Sequence, residues 1–273
     1  MTWTAYKIVL RLLTPLHVGA GQLGNVQRTR PYVTGKSLWG ALTARLTRDY
    51  SDLGGNYGEV GQRVNEELAF SYFYPAVDET VDLWPWDETT DEFAWRYLGA
   101  YASTALDYGR SAAEEGSLHE TEFIAPVTRD GQPVYLVGYI FERQGCALRW
   151  QEALPWLQLG GERTYGWGRV KPSLIMPADG PFFGLEATQL AGERPTLRLT
   201  SGSPLLAHAP AVGANAVAAE GRLMPLVGRE TQAADRHGQC VAFLGIYWEP
   251  GSTVTADATF AIGPYGIWAR SDA

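Results

Sequence analysis

Apolar and polar residues alternate over residues 5–13, AYKIVLRLL, placing Tyr6, Ile8, Leu10 and Leu12 on one side of an extended chain. The pattern predicts a β-strand ended by Thr14-Pro15, with a glycine-rich loop over 19–25 behind it. The period then changes. Leu38, Leu42 and Leu46, with Trp39 and Ala41 nearby, form the buried stripe of a helix over 35–49, and Thr34 stands where its N-cap belongs. Residues 50–118 read as an acidic, aromatic-rich insertion that turns helical after Thr90. Strand signals return at 121–128 and 132–142, and Arg129-Asp130-Gly131 between them predicts a hairpin turn. A short helix over 147–160 ends in glycine, and a strand runs on through Ile175. The stretch MPADGPFFG breaks the pattern and places a boundary near 177. Beyond it lie strands near 195–200, 239–248 and 253–262, and a long Ala-, Gly- and Pro-rich loop over 201–237. Such loops are usually functional or disordered.

The 273 residues suffice for one large domain or two small ones. No apolar run approaches the about 18 residues of a membrane helix, and the N-terminus lacks a signal peptide's layout, so a cytoplasmic protein is expected, with no membrane partner. Cys146 and Cys240 are too few for a disulfide scaffold or a cysteine metal site, and they read as reduced structural thiols. The net charge of −8 is unevenly spread. Residues 1–50 carry seven Lys/Arg against one acid, whereas residues 51–122 carry three Arg against 16 acids. One acidic segment, read as a solvated face or a dock for a basic partner subunit, therefore sets the total. A basic face can still bind phosphate elsewhere, because exposed charges are screened within about 10 Å. Only Lys7, Lys36 and Lys171 of the 22 basic residues are lysine, and arginine's planar fork suits phosphate and base stacking.

Two nucleotide-binding signatures are only approached. Gly19-Ala-Gly21-Gln-Leu-Gly24 fits G-x-G-x-x-G, but Asn25–Tyr32 is polar and contains Pro31 where a Rossmann helix should run, and no acid follows before Asp49. Gly35-Lys36-Ser37 resembles the tail of a P-loop, yet Arg30 occupies the position of its first glycine. Catalytic patterns are thin. His17, His119, His208 and His237 lack metal-ligand spacing. His237, near Asp235, reads as a solvated side chain, and His17 as a structural or RNA-contacting residue or a general base. No catalytic residue, metal or cofactor is expected.

What remains is basic and glycine-rich. Lys36 stands at a helix N-terminus, where free amides favour anions. Arg28 and Arg30 precede it, and Gly19, Gly21 and Gly24 let another backbone come close. In Gly160-Gly161-Glu-Arg163-Thr-Tyr165-Gly-Trp167-Gly-Arg169, two arginines alternate with two aromatics. Arginine can hold phosphates while Tyr165 and Trp167 stack on bases, or the aromatics can pack inward around a tight turn. Both loops are candidate seats for a phosphodiester chain.

A first strand ending LTPLHVGAG, followed by PYVTGKSLWGALTARL, resembles the opening of the CRISPR RAMP superfamily of repeat-associated RNA-binding proteins. LGGERTYGWGRV resembles that family's glycine-rich loop, G-G-x-x-x-x-G-x-G-R, and FIAPVTRDGQPVYLVGYIF looks like its β-hairpin. The resemblance covers residues 5–175. It implies an α+β fold of tandem ferredoxin-like (RRM-like) modules with antiparallel sheets. The first would span 1–176, with insertion 50–118 and glycine loop 160–169. The second, 177–273, would be β-rich and degenerate. It also implies a subunit of a crRNA-guided effector. The type III backbone subunits cut target RNA with an Asp after the first strand, and residues 14–36 hold no Asp or Glu. With the glycine loop in mid-chain, and with YWEPGSTV (247–254) faintly resembling a motif in its second half, the chain looks more like the non-catalytic subunit that caps the crRNA 5′ handle. The alternatives are a backbone subunit and a metal-independent crRNA-processing endoribonuclease. The expected RNA contacts are His17, Gly19, Gly21, Arg28, Arg30, Lys36, Ser37, Gly160, Gly161, Arg163, Tyr165, Trp167 and Arg169. The expected partners are crRNA, the large polymerase-like subunit and backbone RAMP subunits.

Overall fold

The computed structural model describes residues 1–49, 56–78, 80–83, 90–185, 188–230 and 240–271. Its first half holds β1 (Trp3–Leu12), β2 (Gly19–Leu23), β3 (Val26–Thr29), α1 (Gly35–Asp49), α2 (Tyr57–Glu67), β4 (Leu68–Phe70), β5 (Tyr74–Val77), β6 (Thr80–Val81), α3 (Thr90–Tyr97), β7 (Leu98–Ser103), β8 (His119–Ile124), β9 (Tyr135–Arg143), α4 (Trp150–Ala153) and β10 (Val170–Pro177). The second half adds β11 (Thr196–Leu199), β12 (Leu223–Glu230), β13 (Cys240–Trp248), β14 (Ala258–Ile262) and β15 (Trp268–Arg270). Mixed α and β content with mostly antiparallel sheets is the class expected. No helix among the described residues is long and apolar enough to cross a membrane.

A central antiparallel sheet runs β10-β1-β9-β5-β6, with β4 also on β9. The two-residue period of β1 explains its layering. Ile8, Leu10 and Leu12 point to a core closed by α1, α2 and α4, where Leu38, Leu42 and Leu46 are buried at helical spacing. Each such leucine contributes about 2 kcal/mol. Trp3 and Ala5 point the other way, into a second core with Tyr139 and Phe141 of β9 and Leu197, Phe260, Ile262 and Trp268 of the second half. One sheet thus carries two cores. Beside it lies a smaller sheet, β2-β3-β8-β7, parallel only between β3 and β8.

Several expectations are corrected. The stretch 68–77 is not insertion: β4 and β5 pair with β9 in the central sheet. Leu68, Phe70, Phe73 and Tyr74 are buried, and a strand covered on both faces shows no alternation to read. The 129–131 turn forms, with Gly131 N–H donating to the Thr128 carbonyl. Its arms, however, join different sheets, β8 with β7 and β9 with β1. The glycine loop of 19–25 is a tight hairpin, β2 on β3. The helix of 147–160 is only α4 and a 3-10 turn, Leu154–Trp156. The loop 201–237 contains β12, a long arm paired with β13. His237 and Asp235 lie outside the described residues, as do 50–55 and 84–89 of the expected insertion.

Candidate nucleic-acid interface

The β1–β2 connection and the 160–169 segment are folded onto each other. Gly161 N–H donates to the His17 carbonyl (2.8 Å) and Gly168 N–H to the Pro15 carbonyl (2.7 Å). Thr14 Oγ1 donates to the Gly166 carbonyl (3.0 Å) and accepts from Arg169 N–H (2.9 Å). Gln158 Nε2 ties the loop from within, reaching the carbonyls of Arg163 (2.9 Å) and Trp167 (2.8 Å). Two glycines are obligatory. At Gly160 (φ 73°) a Cβ would lie 2.2 Å from the His17 carbonyl oxygen, and at Gly168 (φ 79°) 1.8 Å from that of Leu159. The two sequence motifs are therefore one structural unit.

A cleft of about 860 Å³ opens beside it. One wall is Gly160, Gly161 and Arg163, and the other is Leu226, Val227 and Gly228 of β12 with Leu244 of β13. The floor is the face of α1 that carries Lys36, Gly40, Ala44 and Arg48, four residues apart. Gly40, over which the Tyr57 hydroxyl sits, and Ala44 separate a cation at each end, and the end residues are about 18 Å apart along the helix axis. Arg30, Lys36, Arg48 and Arg163 line the cleft, and no Asp or Glu does among the described residues. Such a surface focuses a positive potential on an anionic chain.

Thr34 caps α1, its Oγ1 accepting from Ser37 N–H (3.3 Å) and pairing with Ser37 Oγ (3.0 Å). The 264–266 turn also covers the helix start, since a Cβ on Gly35 would lie 2.4 Å from the Tyr265 carbonyl oxygen. The helix start is thus partly covered, and the Lys36 side chain carries the positive charge at this end of the cleft. Lys36 Nζ lies 5.5 Å from the centre of the Tyr265 ring, which also packs edge-on against Trp39. Arg30 Nη1 turns inward, 3.4 Å each from Tyr32 Oη, His208 Nε2 and Met224 Sδ. Burial pushes the Tyr32 phenol up to about 12, against the lowering pull of Arg30.

The expected residues divide. Gly19, Arg30, Lys36, Ser37, Gly160, Gly161 and Arg163 line the cleft. His17 does not: it is 7% exposed and its Nδ1 lies 2.7 Å from the Glu122 carbonyl oxygen. Gly21 lies in the hairpin at the break in its β2–β3 register. Arg28 is paired with Glu122 (Nε to Oε2, 2.7 Å). Tyr165 is 78% exposed, whereas the Trp167 ring packs edge-on against Phe123 at 5.2 Å. Arg169 is exposed outside the cleft lining. Arg48, Tyr57, Tyr72, Gln158 and Tyr265 also line the cleft and were not anticipated. Of these, Arg48 alone had a sequence signal, the small-residue spacing back to Lys36.

The sequence matches the family model of the RAMP superfamily over residues 9–171. No curated protein matches it. Among solved structures, a chain of the type III-B Cmr-beta bound to cognate target RNA and AMPPnP aligns at a TM-score of 0.50 and 11% identity, covering 91% of this chain and 85% of that one. A chain of the type III-B Cmr-beta bound to cognate target RNA gives 0.42 and 12%, covering 62% of this chain and 96% of that one.

Proposed function

The chain belongs to the RAMP superfamily, and from that premise we propose that it is a non-catalytic RNA-holding subunit of a type III CRISPR effector, seating the 5′ handle of the crRNA in the cleft. The carrying observation is the trough between Lys36 and Arg48, overhung by Arg30 and Arg163 and free of carboxylates among the described residues. Its length suits a single strand. Phosphates meet the four cations, and Tyr165 offers an exposed ring for a base. Cutting lacks support. Among the described residues no Asp or Glu lines the cleft, and the His17 imidazole is turned to the Glu122 carbonyl.

The fold is in keeping with this reading. Taken alone, β1, α1, β5, β9, α4 and β10 follow one another as β-α-β-β-α-β, and their strands lie in the order fourth, first, third and second, which supports reading a ferredoxin-like module with additions. The second half supplies a β-rich companion in place of a second complete copy. The similar solved chain comes from a Cmr-beta assembly bound to target RNA. The large polymerase-like subunit and backbone RAMP subunits are the proposed protein partners, and the cell interior the proposed location.

The test is crRNA retention in an effector complex reconstituted with Lys36→Ala/Arg163→Ala, compared with Arg169→Ala. Loss of guide from the first and not the second supports the cleft. Full guide occupancy in the first complex refutes it. Incubating the isolated protein with precursor repeat RNA checks the absence of cutting, and cleavage that disappears in His17→Ala overturns the non-catalytic role.

A further inference from the structure

We propose that His208, from the second half of the chain, is a positioning residue that holds Arg30 at the wall of the cleft for RNA. The proposal rests on the RNA-holding reading above.

The His208 side chain is fully buried, at 0% exposure, and packed against the rings of Tyr32 and Tyr72 at 6.2 and 5.5 Å. Nothing in that apolar setting calls for an imidazole, and an unmatched polar ring there is unfavourable. Its two nitrogens are matched. Nδ1 lies 2.7 Å from Tyr72 Oη, and Nε2 lies 3.4 Å from Arg30 Nη1 and 3.0 Å from Met224 Sδ. A guanidinium only donates, so the contact to Arg30 requires Nε2 to be an acceptor. We assign the ring proton to Nδ1, donated to Tyr72 Oη, in which case Met224 Sδ, having no hydrogen to give, only packs against Nε2. Burial and the Arg30 charge both hold the ring neutral, which keeps that lone pair available.

The consequence falls on Arg30. Nη1 lies 3.4 Å from Tyr32 Oη, His208 Nε2 and Met224 Sδ, and its two N–H groups, shared among these acceptors, hold the plane of the guanidinium. The hydrogen bonds of Arg30 among the described residues all use Nη1, and Arg30 lines the cleft, so Nε and Nη2 are the atoms left for a ligand. A long side chain that is already ordered loses less freedom when a phosphate arrives. Met224 belongs to β12, whose next residues wall the same cleft, so the arm and the arginine are set by one contact.

The test is a double-mutant cycle on the full chain, read by fluorescence anisotropy with a fluorescein-labelled single-stranded RNA carrying a repeat-derived 5′ end. His208→Leu keeps bulk and removes the acceptor, and we expect binding about tenfold weaker, near the upper cost of ordering one long side chain. His208→Gln restores an acceptor and should recover most of the loss. In an Arg30→Ala background, His208→Leu should weaken binding no further. A buried residue acting only through stability would lower affinity equally in both backgrounds, and that result overturns the proposal, as does wild-type affinity in His208→Leu. If His208→Leu does not fold, Tyr72→Phe, which removes the group that fixes the tautomer, is carried through the same cycle with the same criteria. Additive losses with Lys36→Ala and Arg163→Ala still weakening binding defeat this proposal alone. Affinity unchanged in Arg30→Ala, Lys36→Ala and Arg163→Ala alike defeats the RNA-holding reading together with it.

Discussion

Four cations on one wall-and-floor surface make a quantitative demand on salt dependence. A single strand that neutralises Arg30, Lys36, Arg48 and Arg163 releases counterions, and each phosphate contact adds about −0.7 to the slope of log affinity against log salt. With all four engaged the slope is about −2.8, so affinity falls about 50-fold between about 50 and 200 mM KCl. Arg163→Ala should bring the slope to about −2.1, and Lys36→Ala/Arg163→Ala to about −1.4. Arg169→Ala, outside the cleft, should leave it unchanged. Arg28→Ala should do the same, because Glu122 already neutralises that side chain. The assay is anisotropy of labelled single-stranded RNA across a KCl series. A slope indifferent to Lys36 and Arg163, or reduced as much by Arg169→Ala as by Arg163→Ala, refutes the assignment of phosphates to this cleft.

Gly160→Ala combines a left-handed backbone with a Cβ driven onto the His17 carbonyl, and should destabilise the fold by more than about 2 kcal/mol in denaturant titration. The two loop aromatics should separate by assay. Tyr165→Ala changes stability by less than about 0.5 kcal/mol and weakens RNA binding by about 1–3 kcal/mol. Trp167→Ala, which removes the packing on Phe123, should lower the melting temperature first. Acid should act through His208. Its buried ring is held well below the ordinary value of 6.5 by desolvation and then by Arg30, so the unfolded chain takes up the proton first. Its stabilising contribution is complete above pH 6.5 and declines below it, by up to about 1.4 kcal/mol per pH unit. His208→Gln should lack this component in urea melts at pH 6.5 and 5.5, and identical pH dependence in the two proteins rejects it.

How much of this was legible in the sequence depended on distance along the chain. Thr34, Gly35–Asp49 and its leucine stripe are local, and they stand as read. The glycine motifs were legible as sites of close approach, and Gly160 and Gly168 meet the carbonyls of His17 and Leu159. What they approach was not, because Pro15 and Gly168 are joined only by the fold. β5 was lost in the supposed insertion because both its faces are covered. β12 was lost because Pro225 and Gly228 interrupt a strand that leaves Leu223 and Val227 exposed. The cleft suffered likewise. Arg30, Lys36 and Arg163 could be named from composition, but Tyr265 and His208 reach the site from more than 170 residues beyond Arg30.

The double-sided central sheet sets a timetable for biosynthesis. β1 is made before the other described strands, and its helix-facing side can be covered once α1 and β9 have emerged. Its other side, with Trp3 and Ala5, is covered only as the second half arrives, first by Phe182 and Leu197 and last by Phe260 and Trp268. At ordinary elongation rates of about 5–20 residues per second, the last of that cover arrives about 10 to 50 seconds after β1. Tyr139 and Phe141 join it partway through, making a wider apolar surface on a chain still tethered to the ribosome. This chain is thus most open to aggregation while it is being made, and a chaperone that shields it then would bind the face that the finished protein hides.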